Sequence, residues 1–150
     1  PFDRLVQAVD TAIGRNGYND RVFAQIGNDN SYVPENMDWA ATLEKSEYDA
    51  CFRKATAIIG HAGMGTITMA LQHNKPLLVM PRLKRYGEVV NDHQLAIAKK
   101  FEQANHLLVA YNRQDIAQKL IELDDFTPKP RENQADKVAA RIADFLQTIS

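Results

Sequence analysis

The chain has 150 residues, 45% of them hydrophobic and 25% charged, with a net charge of −1. That length suits one domain whose core needs neither disulfide nor metal, and the charge balance creates no field favouring nucleic acid or an anionic bilayer. The single Cys51 excludes an intramolecular disulfide and a cysteine metal cluster, a reducing cytoplasm being the simplest setting, and no apolar run approaches the roughly 20 residues that cross a bilayer, so work at a membrane would require a partner to hold the chain there.

The chain opens on Pro1-Phe2-Asp3 and runs straight into a helix, although a βα unit wants a strand just upstream. The expectation is that a short N-terminal segment, forming a first strand and its loop, is missing. Phe2, Leu5, Val6, Val9 and Ile13 share one helical face, and Gly14 and Gly17 end that helix. Arg21 to Ile26 reads as a strand closed by Gly27 and a polar turn. A loop with Pro34 leads to a short strand around Trp39 to Leu43, then a helix over Glu47 to Lys54. Ala57 to Ile59 is a buried strand, and Gly65 to His73 a helix stopped by Asn74 and Pro76. Leu77 to Met80 is a second buried strand, followed by a long loop, Pro81 to Val90, with the character of a mobile lid. Asn91 to Gln103 is a helix with Leu95, Ala98 and Phe101 inward, Leu107 to Ala110 a strand, and Asp115 to Leu123 a helix. A breaker-rich linker, Asp124 to Asn133, precedes a last helix (134–149) that buries Val138, Ile142, Phe145 and Ile149. Alternating strands and helices, with continuous apolar strands, predict an α/β fold: a Rossmann-like, mostly parallel sheet with helices on both faces, in one domain over residues 1–150.

In such a sheet ligands sit beyond the carboxyl ends of the strands. Three stretches fall there: Gln25 to Asn30, His61 to Thr66, and Pro81 to Gln94. A β-branched strand running into Gly63-Met64-Gly65-Thr66 and then a helix puts backbone N–H groups and a helix N-terminus against a phosphate. Gly63 and Gly65 permit positive φ and close approach, though a tight strand-to-helix connection asks for the same residues. His61 suits either donation to a phosphate or proton abstraction; a lone histidine is also commonly structural. One of Asn91 and Asp92 caps the following helix, leaving His93 and Gln94 as candidates for sugar hydroxyls or an anion. Arg82, Lys84 and Arg85 form a basic cluster that is either solvated surface or a phosphate contact. No GxxxxGK[ST], complete GxGxxG, HExxH or paired cysteines are present, so neither metal nor cofactor is expected.

Four blocks in order, Ile59-Gly-His-Ala-Gly-Met-Gly-Thr66, Ala70-Leu71, Lys75-Pro-Leu-Leu-Val-Met-Pro81 and Asn91-Asp-His-Gln94, resemble the C-terminal, donor-binding domain of GT-B glycosyltransferases of family 28. The resemblance runs from Pro1 to about Leu108 and is strongest to the small catalytic subunits of two-part enzymes, bacterial exopolysaccharide and capsule transferases and the eukaryotic dolichol-linked N-acetylglucosaminyltransferase. It implies that His61, Gly63, Met64, Gly65 and Thr66 hold the diphosphate of a UDP-sugar; the catalytic base is left open between His61, His93 and a residue of a partner. It further implies that His93 and Gln94 bind sugar hydroxyls, that Asn91 shapes their loop, that Gln25 and Gly27 line the cleft, and that the uracil edge meets backbone near Leu43 and Glu44.

The implied activity is inverting transfer of a hexose or N-acetylhexosamine from a UDP-sugar to a lipid-linked saccharide in polysaccharide biosynthesis. A membrane-associated subunit would bind the acceptor, placing this chain in the cytoplasm at the inner face of the membrane, with no nucleic acid involved. One position departs from the pattern. Many relatives carry a glutamate that grips the ribose where this chain has Met69, which motivates the alternative of a non-catalytic, UDP-sugar-binding or regulatory partner subunit.

Overall fold

The computed structural model describes residues 1–130 and 134–149. Its helices are α1 (Asp3–Asn16), α2 (Lys45–Lys54), α3 (Met64–Gln72), α4 (His93–Gln103), α5 (Ile116–Asp125) and α6 (Gln134–Ile149). Its strands are β1 (Phe23–Gln25), β2 (Asp38–Ala40), β3 (Ile58–His61), β4 (Leu77–Met80) and β5 (Leu108–Val109). Short 3-10 turns occupy Lys84–Tyr86 and Arg113–Asp115. Residues 131–133, the end of the expected linker, lie outside the described residues.

Every strand pair is parallel, as the apolar runs require, but the strands form two sheets, β1-β2 and β3-β4-β5. In β4 the side chains alternate between two cores. Leu78 and Met80 join α1 and α5 on one face, while Leu77 and Val79 join residues of α2, α3 and α4 on the other. All four are 0% exposed, and burying each such side chain is worth about 1.5–3 kcal/mol. This strand fixes the frame on which the site is built.

Several boundaries move for local reasons. Helix α1 passes through Gly14 and stops at Gly17, which takes the left-handed conformation (φ 59°). Gly14 is there because Asn36 lies against it: a Cβ at this position would come within 2.7 Å of Asn36 Nδ2. The Asn36 loop is tied to α1 by Asp10, 1% exposed, which accepts from Tyr32 Oη (2.6 Å), the Glu35 N–H (3.0 Å) and the Asn36 N–H (2.7 Å). Burial pushes the Asp10 carboxyl up, but those bonds outweigh it and hold the group below the ordinary carboxylate range. Helix α2 begins at Lys45 because Glu44 and Glu47 form a reciprocal capping box. Strand β3 runs to His61, pairing Gly60 with Val79 and His61 with Met80. It is half-buried rather than buried, being hydrogen-bonded to β4 on one edge only.

The last helix forms as expected but does not bury its apolar side. Val138, Ile142, Phe145 and Ile149 are 54–65% exposed. Periodicity marks a face suited to burial without supplying the surface that buries it.

Candidate functional site

The ends of β3 and β4 bring His61, the 63–66 turn, Arg82 and the start of α4 together. His61 closes β3, and Gly63 occupies the N-cap of α3. Gly63 has φ −88°, and Gly65 is not among the residues with positive φ, so left-handed backbone is not why these glycines are here. The reason at Gly63 is the imidazole of His61, which lies across it: a Cβ would sit 2.3 Å from Cε1 and 2.8 Å from Nδ1. At Gly65 nothing approaches within 4 Å, leaving open space at the helix start. Thr66 turns its methyl toward Gly60, 3.3 Å from where a Cβ would stand.

No side chain caps α3, and its first backbone bond runs from the Ile67 N–H to Gly63 O at 3.1 Å. Among the described residues the N–H groups of Met64, Gly65 and Thr66 therefore have no acceptor. Three orphan donors at the positive end of a helix form a ready anion site.

Above this turn sits Gln94. Its Oε1 accepts the Arg82 N–H at 3.0 Å, and its Nε2 lies 3.1 Å from His61 Nδ1. Burial first, and the Arg82 charge second, lower the affinity of His61 for a proton, while the Gln94 contact acts in the opposite direction; the net shift is downward. Arg82 lies with its guanidinium 5.2 Å from the Phe2 ring centroid, and its Nε is buried with no hydrogen-bond partner. Of the basic cluster read from the sequence, Arg82 alone is half-buried; Lys84 and Arg85 are exposed.

The loop after β4 is pinned, contrary to the expected mobile lid. Successive N–H groups of Arg82, Leu83 and Lys84 are taken by Gln94 Oε1, Glu88 Oε2 (2.9 Å) and Asp92 Oδ1 (2.8 Å). Arg4 in turn grips both oxygens of Glu88 and reaches Pro81 O at 2.8 Å. Burial raises the Glu88 carboxyl, but the Arg4 and Leu83 bonds prevail and hold it below its usual range. Nothing in the sequence signals this long-range pair. Asp92 occupies the N-cap position of α4 without capping it, and Asn91 Oδ1 instead takes the His93 N–H at 3.0 Å. His93 itself is exposed.

Gln25 ends β1, and Gly27 follows with φ 86° and its N–H on Ala41 O at 2.8 Å. The Cα of Pro1 lies 4.0 Å from where a Gly27 Cβ would be, and the next residue, Phe2, carries Arg82 on its ring. The two residues before α1 thus bridge the two groups of predicted residues. Leu43 and Glu44 immediately precede α2, where Glu44 forms its N-cap. Among the described residues no group of three or more His, Cys, Asp or Glu side chains could hold a metal, and no helix is long and apolar enough to cross a membrane.

Parallel sheets, helices on both faces and an uncapped helix start at the strand ends define a Rossmann-like α/β domain. A solved structure, spinosyn forosaminyltransferase SpnP, shares the fold with a TM-score of 0.55 at 17% identity, over 80% of this chain and 28% of that one; the class is the GT-B C-terminal type. Residues 1–149 match the glycosyltransferase family 28 C-terminal domain, and the chain belongs to that family. It is also 34% identical over 116 residues to the UDP-N-acetylglucosamine transferase subunit ALG13 of Homo sapiens. That match covers 71% of this chain and 10% of the human protein, so the chain spans a small part of its relative's length.

Proposed function

We propose that this chain is the donor-binding, catalytic subunit of a UDP-sugar-dependent hexosyltransferase. The observation that carries the reading is the uncapped start of α3, with open space over Gly65, the His61 ring against Gly63 and the Arg82 charge acting on that ring. The donor diphosphate rests on the N–H groups of Met64, Gly65 and Thr66, with His61 and Arg82 at its flank. His93 and Gln94 face the sugar from α4, Asn91 sets their turn, and Gln25 and Gly27 close the cleft from β1. The transfer inverts the anomeric centre, and the acceptor is a lipid-linked saccharide presented by a membrane-associated partner subunit. In that assembly the chain works in the cytoplasm, at the inner face of the membrane. Family membership supports glycosyl transfer, and the human relative, a subunit by name, supports a two-part enzyme.

The departing UDP needs charge stabilisation as the glycosidic bond breaks, which fixed N–H donors and a cation supply without reorganisation. Calorimetric titration with UDP, UDP-galactose and UDP-N-acetylglucosamine, with Gly65→Val alongside, tests the reading. Binding that the variant abolishes is expected; binding unaffected by a side chain filling that space would refute this donor site.

A second reading rests on Met69, which is half-buried and packs against the core of α2, α3 and α4 rather than presenting a carboxylate. It makes the chain a non-catalytic, UDP-sugar-binding or regulatory subunit. Turnover by this chain with its partner, abolished when this chain alone carries Gly65→Val, would exclude it.

A further inference from the structure

We infer that Gln94 is a positioning residue that fixes His61 as the neutral tautomer with its proton on Nε2. The backbone N–H of Arg82 is a donor whose identity is beyond choice. It points at the Gln94 amide from 3.0 Å. Only the amide oxygen can accept there, so the NH₂ end faces His61 Nδ1 at 3.1 Å. An NH₂ group offers protons and no lone pair, so Nδ1 must be the accepting, unprotonated nitrogen. The remaining ring proton of neutral His61 is on Nε2.

The neighbours favour the same state. The His61 ring lies against Gly63, where a Cβ would displace it. The cation of Arg82, whose backbone orients Gln94, also disfavours a second proton on the ring. Arg82 is thus used twice, once through its N–H to set the amide and once through its charge. The segment is held in turn by Glu88 and Arg4, so the relay rests on a fixed base.

The consequence, which rests on the donor site proposed above, is a division of labour. With Nε2 protonated and Nδ1 occupied, His61 offers the cleft a hydrogen bond and has no free lone pair for an acceptor proton. His61 acts as a donor to the diphosphate, and the base that deprotonates the acceptor is a different group. Gln94 has its oxygen and one of its N–H groups engaged inside the protein, which leaves its other N–H for the sugar.

Long-range ¹H–¹⁵N correlation of the imidazole in the intact chain, at a pH where His61 is neutral, tests this directly. The expected pattern is a protonated Nε2 and a pyridine-like Nδ1; a protonated Nδ1 overturns the proposal. Gln94→Glu keeps an acceptor for the Arg82 N–H but offers Nδ1 a carboxylate. The expected result is a proton moved onto Nδ1, and His61 titrating at higher pH than in the parent chain. An unchanged tautomer in a folded Gln94→Glu chain also overturns it. Calorimetry on the same two proteins reads the consequence: UDP affinity falls at least tenfold in Gln94→Glu while uridine affinity is unchanged. Equal UDP binding by both would sink the link between tautomer and donor binding. A parent chain with the Nε2–H tautomer that binds no UDP would leave Gln94's role standing and remove the donor site instead.

Discussion

Arg4 and Glu88, 84 residues apart in sequence, meet through hydrogen bonds of 2.8 and 2.9 Å with each side chain 10% exposed. The pair ties the first turn of α1 to the loop after β4. Through the Leu83 N–H it also holds the segment whose neighbouring N–H orients Gln94. Taking two charges out of water is costly, and the fork geometry with its extra acceptor, Pro81 O, offsets that cost. Removing one partner leaves the other buried and uncompensated. Arg4→Met is therefore expected to cost about 3–5 kcal/mol, read as a lower midpoint in urea. UDP affinity should fall with it, because the Arg82 to Lys84 segment loses its anchor. A variant of unchanged stability would show that the pair is replaced by solvent.

Arg82 separates electrostatics from architecture. Its backbone is committed to Gln94, while its Nε is buried without a partner. Arg82→Gln keeps the N–H and removes the charge. If the guanidinium faces the donor diphosphate, losing a charge-assisted bond of about 1.5–3 kcal/mol weakens UDP by roughly tenfold to a hundredfold. Uridine, which has no phosphate, should bind both proteins alike. Calorimetry with the two ligands decides it, and equal losses for both would point to a general disturbance of the cleft.

The sequence was most legible where one residue type has one use. Leu77 to Met80, four apolar residues between breakers, is β4 to the residue, and Gly17 stops α1 because a left-handed turn favours glycine there. Its reading failed where a residue serves a neighbour distant in the chain. Gly63 carries no positive φ; it leaves room for the His61 ring. Gly14 sits inside a helix for the sake of Asn36. Residues 91–94 were recognisable as a polar cluster at a helix start, but their division of labour depends on the N–H groups of Arg82 and Lys84, which no local pattern encodes. The loop after β4 read as a lid because length suggests mobility, while Gln94 and Asp92 from beyond the loop, and Glu88 within it gripped by Arg4, accept its N–H groups.

On the acid side, the pH dependence of stability among the described residues follows from three groups with folded proton affinities below their ordinary values. For His61 the unfolded chain takes up a proton first, near the ordinary imidazole value of 6.5. Its contribution is complete above that pH and is lost as pH falls through the lower folded value. Asp10 and Glu88 behave alike in their own range: their contributions are present above the ordinary values of 3.8 and 4.5 and disappear on further acidification. Urea midpoints should therefore decline in two stages, one as pH falls below the ordinary imidazole value of 6.5 and a second through the carboxylate range. His61→Gln should flatten the first stage and leave the second. A first stage that survives in the variant would assign it to another group.

Gly63 and Gly65 have opposite relations to their surroundings, and alanine at each separates stability from binding. At Gly63 the backbone (φ −88°, ψ 142°) accepts any residue, so alanine causes no backbone strain. Its Cβ would fall 2.3 Å from His61 Cε1, and the ring must move. Gly63→Ala should therefore break the 3.1 Å contact with Gln94 and weaken UDP binding, with only a modest loss of stability. At Gly65 the new methyl meets nothing within 4 Å, and an exposed helical glycine replaced by alanine gains roughly 0.5–1 kcal/mol. In the proposed donor site that methyl also occupies the space open to the phosphates. Gly65→Ala should melt at a higher temperature than the parent chain and bind UDP less well. Thermal melts and calorimetry on the two variants check both halves, and a Gly65→Ala chain that binds UDP as the parent does would place the phosphates away from the start of α3.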